Sequence, residues 1–186
     1  RGEGGYMLIM QCEDGLAARA HALDQGAQAV WQNDANGIHA THFHPRSVPG
    51  AILSLDSMEE AEPDPGPRSS SAWEGPDWRA HLRDNGIRGL AGAVVEAAEH
   101  VAVAARWSAV LGRPASAAAT PQSELEGGEL RFAAAPSGDA LFSEFSLEHE
   151  DPGAVLGRAE QLGLETSESG VRVAGIRLAL RPPASP

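Results

Sequence analysis

Three stretches of this chain share one plan: a strand-like run, an acidic residue, a helix-length segment with an apolar face, and a glycine. The acid-to-glycine spacing is 13 in all three, from Glu13 to Gly26, Glu99 to Gly112 and Glu150 to Gly163. The strand-like runs that precede them are 6–12, 90–97 and 141–147. An acidic residue suits a helix start, where backbone N–H groups are unpaired and the dipole favours negative charge. Glycine suits the end, because it enters the left-handed conformation without a Cβ penalty. Equal spacing three times over points to internal duplication. Each copy then has to be one supersecondary unit mixing strands with a helix, so the expected fold class is α+β.

The first copy can be followed furthest. After the strand at 6–12, Asp14 is the expected N-cap, and Leu16, Ala20 and Leu23 fall at i, i+4 and i+7 as the apolar face of a short helix. A strand follows at 27–32, a turn at 33–37, and two more strands at 38–44 and 51–55, giving the order βαβββ. Within 38–44 the alternation puts Ile38, Ala40, His42 and His44 on one face and His39, Thr41 and Phe43 on the other. Pro45 has no N–H and restrains the residue before it, so the strand should stop there. Pro49-Gly50 is turn chemistry. The second helix carries Val103, Trp107, Val110 and Leu111 on one face, and the third carries Val155, Ala159 and Leu162. Strands are expected at 115–119 and 129–135, with a turn-rich stretch between them, and a hairpin broken at Ala174-Gly175 closes the chain. Arg172, Arg177 and Arg181 are expected on its outer side.

The stretch 59–86 differs in kind. Its Pro-Asp-Pro-Gly-Pro-Arg-Ser-Ser-Ser run is polar and rich in turn residues, which marks a linker cut first by protease at Arg68. The organisation is therefore a βαβββ module at 1–58, a linker at 59–86 and a second domain of two modules at 87–186. A lone module leaves a sheet edge open. Either more chain precedes Arg1 or a second copy completes the sheet as a homodimer.

Charge and cysteine content narrow the function. The 26 acidic residues outnumber the 14 basic ones, all of them arginine, for a net charge of −12. Nucleic acid and anionic membranes demand a basic surface, so neither is the expected partner. No apolar run approaches the ~20 residues of a membrane span. The single cysteine, Cys12, rules out a disulfide framework and a cysteine zinc cluster; it reads as a buried thiol in a reducing cytoplasm.

These residues carry a family resemblance. The helix Ala-Ala-Arg-Trp-Ser-Ala-Val-Leu-Gly at 104–112 resembles the first-helix pattern of the vicinal oxygen chelate superfamily, the glyoxalase and bleomycin-resistance-like proteins. Residues 13–26 resemble its second-module helix. The run His-Phe-His-Pro-Arg-Ser-Val-Pro-Gly-Ala-Ile-Leu-Ser-Leu at 42–55, followed by Trp-Glu-Gly-Pro-Asp-Trp at 73–78, is similar to a two-domain glyoxalase-like branch. The resemblance implies curved mixed sheets with helices on the outer face and a pocket on the concave one. It also implies, for the enzymes, a divalent metal held by His or Gln on each module's first strand and Glu on its last. Here those positions depart from the pattern. They fall on Tyr6 and Ser54 in the first unit and on no ligand at 90–93 in the second. In the third, Glu144 stands near the equivalent place and the closing strand offers only Arg177.

The expected function is handling of a small organic molecule on the concave face. One reading is a lyase, isomerase or dioxygenase-type enzyme with a degenerate metal site; the other is a non-catalytic sequestering protein. Candidate catalytic residues are His42, His44 and Tyr6. Candidate substrate-binding residues are Trp31, Arg46, Ser54, Trp73 and Trp78. Two imidazoles at i and i+2 share a face, which suits three roles: ligation of a divalent metal by His42 and His44, lining of a pocket without metal, or bonding within the sheet.

Overall fold

In the computed structural model, residues 3–58, 78–136 and 138–183 are described. The first unit forms β1 (Met7–Gln11), α1 (Gly15–Asp24), β2 (Ala29–Ala35), β3 (Ile38–Phe43) and β4 (Ile52–Met58). A short 3-10 helix (Trp78–His81) precedes β5 (Ile87–Ala97), α2 (His100–Leu111), β6 (Gln122–Leu125) and β7 (Gly128–Ala134). The chain then forms β8 (Leu141–His149), α3 (Pro152–Gln161), β9 (Thr166–Ser167), β10 (Gly170–Val173) and β11 (Ile176–Arg181). The result is an α+β fold of repeated modules in mixed, curved sheets. Most of the expected linker, including Arg68 and Trp73, lies outside the described residues.

The first and third modules share one topology, and the second, β5-α2-β6-β7, lacks one of its strands. The first sheet has the order β1-β4-β3-β2, with β1 and β4 parallel. The second has the order β6-β7-β5-β8-β11-β10-β9. Within it β5 runs parallel to β7 and β8 parallel to β11, while the first strands of the two modules, β5 and β8, meet antiparallel. The helices follow from the acid and glycine at their ends. Asp14 and Asp151 cap α1 and α3 by accepting from the N–H of Ala17 and Ala154. Gly26, Gly112 and Gly163 end the three helices with φ of 75°, 64° and 70°. The hairpins turn at Asn36-Gly37 and Ala174-Gly175, each with two consecutive positive φ values, the geometry that suits the twist of paired strands.

Three expectations are corrected. The stretch 115–119 forms no strand; β6 falls instead on Gln122–Leu125, inside the segment that reads as turn. The buried side of α1 is Gly15, Ala18 and Ala22, while Leu16 and Leu23 are 47% and 42% exposed. The cause is close approach: the Gly15 N–H donates to Ser57 Oγ at 2.8 Å, and a Cβ on Gly15 would come within 2.6 Å of that oxygen. Small residues therefore face the sheet, and the leucines turn outward. Last, Arg177 and Arg181 are not outer decoration: they pair with Glu144 and Glu148 on the sheet face opposite α2.

The two sheets share one core. Leu8, Phe43, Leu53 and Leu55 pack in the same buried cluster as Val95, Trp107, Leu130, Phe132 and Phe142. Polar bonds reinforce the junction. The Trp107 indole donates to the Pro49 carbonyl at 2.8 Å, and Arg106 donates to the carbonyls of Ser47 and Gln25 at 2.6 and 2.5 Å. The His21 ring donates from Nε2 to the Ala109 carbonyl at 2.8 Å. Gly50 marks a point of close approach, where its carbonyl accepts from the Phe142 N–H and a Cβ would stand 2.6 Å from the Val95 side chain. With φ at +110° as well, the position admits glycine alone.

Candidate functional site

Helix α1 covers one face of the first sheet, and the pleat sends alternate residues to the other. Thr41 lies on the covered side, where it accepts from Arg19 of α1. By alternation Ala40 and His42 of β3 stand on the opposite face, together with Ser54 and Asp56 of β4. The register brings them side by side, His42 opposite Ser54 and Ala40 opposite Asp56. On the other flank of β4, Ile9 and Gln11 of β1 stand beside Ser54 and Asp56. Trp31 of β2 pairs with His42, their rings 4.3 Å apart and tilted.

The chemistry of this face centres on a covered carboxylate. Ser54 is fully buried and Asp56 is 9% exposed. The Ser54 hydroxyl donates to Asp56 Oδ1 at 2.5 Å. Burial pushes the Asp56 carboxyl above its ordinary range, and the bond from Ser54 and the field of His42 only partly oppose it. Burial also pulls the His42 imidazole below its ordinary value, against the attraction of Asp56. His42 is therefore neutral at pH 7, with one ring nitrogen free to accept a proton and the other able to donate. A neutral imidazole, a hydroxyl and a carboxyl side by side form a hydrogen-bonding set for an oxygen-bearing ligand, with the Trp31 ring as a flat apolar wall.

The other candidates disperse. His44 lies just past β3, and its Nδ1 accepts from the Arg46 N–H at 3.0 Å, which closes a local turn. The Arg46 residue is exposed. Tyr6 is 70% exposed and lines a surface cleft with Glu3, Asp139 and Leu141. That cleft does not include His42. Trp78 begins the short 3-10 helix. Asp56 and Gln11 are the members that reading the sequence passed over. Asp56 follows Ser54 at a spacing of two at the end of an apolar run, and that spacing is the signal that could have found it.

A metal finds limited support in these side chains. Among the described residues no group of three or more His, Cys, Asp or Glu side chains is gathered to hold one. The first sheet offers His42 and Asp56 together, two donors where a bound metal needs more.

No family model matches the sequence, and no curated protein matches it either. Solved structures do share its fold. A hypothetical protein from Staphylococcus aureus superposes with a TM-score of 0.60 at 8% identity. An Mn(II)-bound glyoxalase from Novosphingobium aromaticivorans superposes at 0.58 with 12% identity, and a halotolerant catechol dioxygenase at 0.57 with 12% identity. Each similarity covers 94% of this chain. The chain spans 64%, 61% and 66% of the respective proteins' lengths. At these identities the likeness is one of fold. The fold of this chain is that of the glyoxalase-like, vicinal oxygen chelate proteins.

Proposed function

We propose that this protein binds a small, flat, oxygen-bearing organic molecule on the face of its first sheet opposite α1. The observation that carries the reading is the Ser54–Asp56 pair, covered and short at 2.5 Å, placed beside a neutral His42. Asp56 and Ser54 hold the hydrogen-bonding end of the ligand, His42 exchanges a proton with it, and Trp31 covers its flat side. The glyoxalase and dioxygenase that share the fold support the class of ligand, not its identity. Thermal-shift screening of small hydroxy- and keto-acids and phenols tests this, because a ligand of the native state raises the apparent melting temperature by mass action. Changing His42 to Ala or Asp56 to Asn should abolish the shift. A hit whose shift survives both changes would remove the site from this face.

The placing of His42 opposite Ser54 and beside the Asp56 carboxyl supports a second reading, catalysis by proton transfer at that face. Product formation from a hit under single-turnover conditions separates the two. Recovery of the unchanged molecule assigns the protein to sequestration.

A further inference from the structure

The second sheet has a different character. The family resemblance implies metal ligands on the first and last strands of each module, which here are β5 and β7, then β8 and β11. The register sets one row across them. Arg131 of β7 stands opposite Val94 of β5, Val94 opposite Glu144 of β8, and Glu144 opposite Arg177 of β11. The row holds one carboxylate, two guanidiniums and an isopropyl group. A guanidinium stays positive and has no lone pair to give. This donor set does not fit a divalent ion.

The same side chains fit one another. Arg131 Nη2 donates to Glu144 Oε1 at 3.0 Å, and Arg177 Nη1 donates to Oε2, so each carboxylate oxygen has its own guanidinium. The Ser146 hydroxyl adds a longer bond to Oε1 at 3.3 Å. Arg177 also donates to Ser169 Oγ at 3.0 Å. Arg131 Nε stands 3.2 Å from Glu129 Oε1, angled as an ion pair rather than a hydrogen bond. The Glu144 side chain is 12% exposed, and a carboxylate so covered is costly without partners. To reach it, Arg131 crosses β5, a span of two strand spacings or roughly 10 Å. Val94 beneath has no polar group to compete for the guanidinium.

We infer that an Arg131–Glu144–Arg177 bridge takes, in this chain's second sheet, the place that the fold's metal enzymes give to their cation. It fastens the second module to the third, since the closing strands of both hold one carboxylate on β8. This face is closed to divalent metal, which leaves ligand chemistry to the first sheet; that last clause rests on the reading of the His42 face.

Equilibrium dialysis of the full chain against Mn2+ or Zn2+, with metal counted per chain, tests the inference beside thermal melts. The comparison takes the wild type, Glu144→Gln, His42→Ala, and the triple variant Arg131→Met/Glu144→Met/Arg177→Met. Glu144→Gln should bind the same metal as the wild type but melt several degrees lower, because two guanidiniums then face a neutral amide. The triple variant leaves no unpaired buried charge, so it should recover most of that loss and carry the metal comparison if Glu144→Gln does not fold. A metal ion bound by the wild type and by His42→Ala, yet lost in Glu144→Gln and the triple variant, would overturn the inference. Equal melting of wild type and Glu144→Gln would overturn the fastening. Metal lost only in His42→Ala supports it and puts the ion on the first sheet. A ligand that ignores His42→Ala sinks the site reading and leaves this comparison standing.

Discussion

Asp56 sets a pH dependence whose direction can be worked out. Its folded proton affinity is raised above that of a free carboxyl, chiefly by burial. The native state therefore holds the proton more tightly than the unfolded chain, and stability falls as pH rises from the free-carboxyl value of 3.8 through the folded one. Changing Asp56 to Asn keeps an oxygen for Ser54 and removes that slope. The variant should melt above the wild type at pH 7, by roughly 2 to 4 °C for each kcal/mol recovered. The gap should close below the free-carboxyl value. His42 acts in the opposite sense: its lowered affinity costs stability as pH falls below 6.5, and more so in the variant, which lacks the attraction of Asp56. Melts of both at pH 7 to 8, where His42 is neutral in each, compare the aspartate with the amide; a wild type that melts above the variant there contradicts this sign. Burial first, then the charges of Asp56 and Asp14, push the half-buried Cys12 thiol up to about 11, which makes it an inert thiol at neutral pH.

At the scale of elements, the helix ends and the β3 alternation were legible because their causes are local. A capping carboxylate, a left-handed glycine and a two-residue period all act within a few positions of the chain. The inward face of α1 was not legible. The leucines carry the stronger apolar signal, yet Ala22 is fully buried and Leu23 exposed, because the helix sits too near Ser57 and α2 for long side chains. Changing Ala22 to Leu should therefore cost about 1 to 3 kcal/mol. Leu23→Gln should stay within about 0.5 kcal/mol of the wild type. Urea midpoints read both, and the reverse ranking would mean that α1 packs on its leucine side. Strand β6 hid for a related reason: it is an edge strand of four residues whose one buried member is Ser123, so it lacks apolar alternation. The Arg131–Glu144–Arg177 row was hidden more deeply. It depends on strand register across two modules and on an irregularity between β5 and β8 at Val94/Val95.

The molecule as a whole ends, on the side of its first sheet, in β1. Its inner edge pairs with β4, and no described strand lies along its outer edge. Ile9 there is 66% exposed. The second sheet shows how this fold satisfies such an edge, by antiparallel pairing of first strands, as β5 does with β8. We therefore expect two copies of this chain to pair through β1 in solution. Sedimentation velocity should show a dimer that strengthens with concentration and is lost when Ile9 becomes Glu. A monomer at every concentration would show that the edge stays open in this chain.

The junction at Trp107 and Arg106 also bears on how the chain comes into being. The groups that close over the turn at 47–49 belong to a helix 58 or 59 residues further on. At about 5 to 20 residues per second of synthesis, that helix arrives roughly 3 to 12 s after the turn it seals. During this interval Val48, Phe43 and Leu53, all fully buried in the finished protein, have no α2 to cover them. The first sheet is thus made before the helix that dries it, and until α2 arrives its growing chain is a natural client for chaperones.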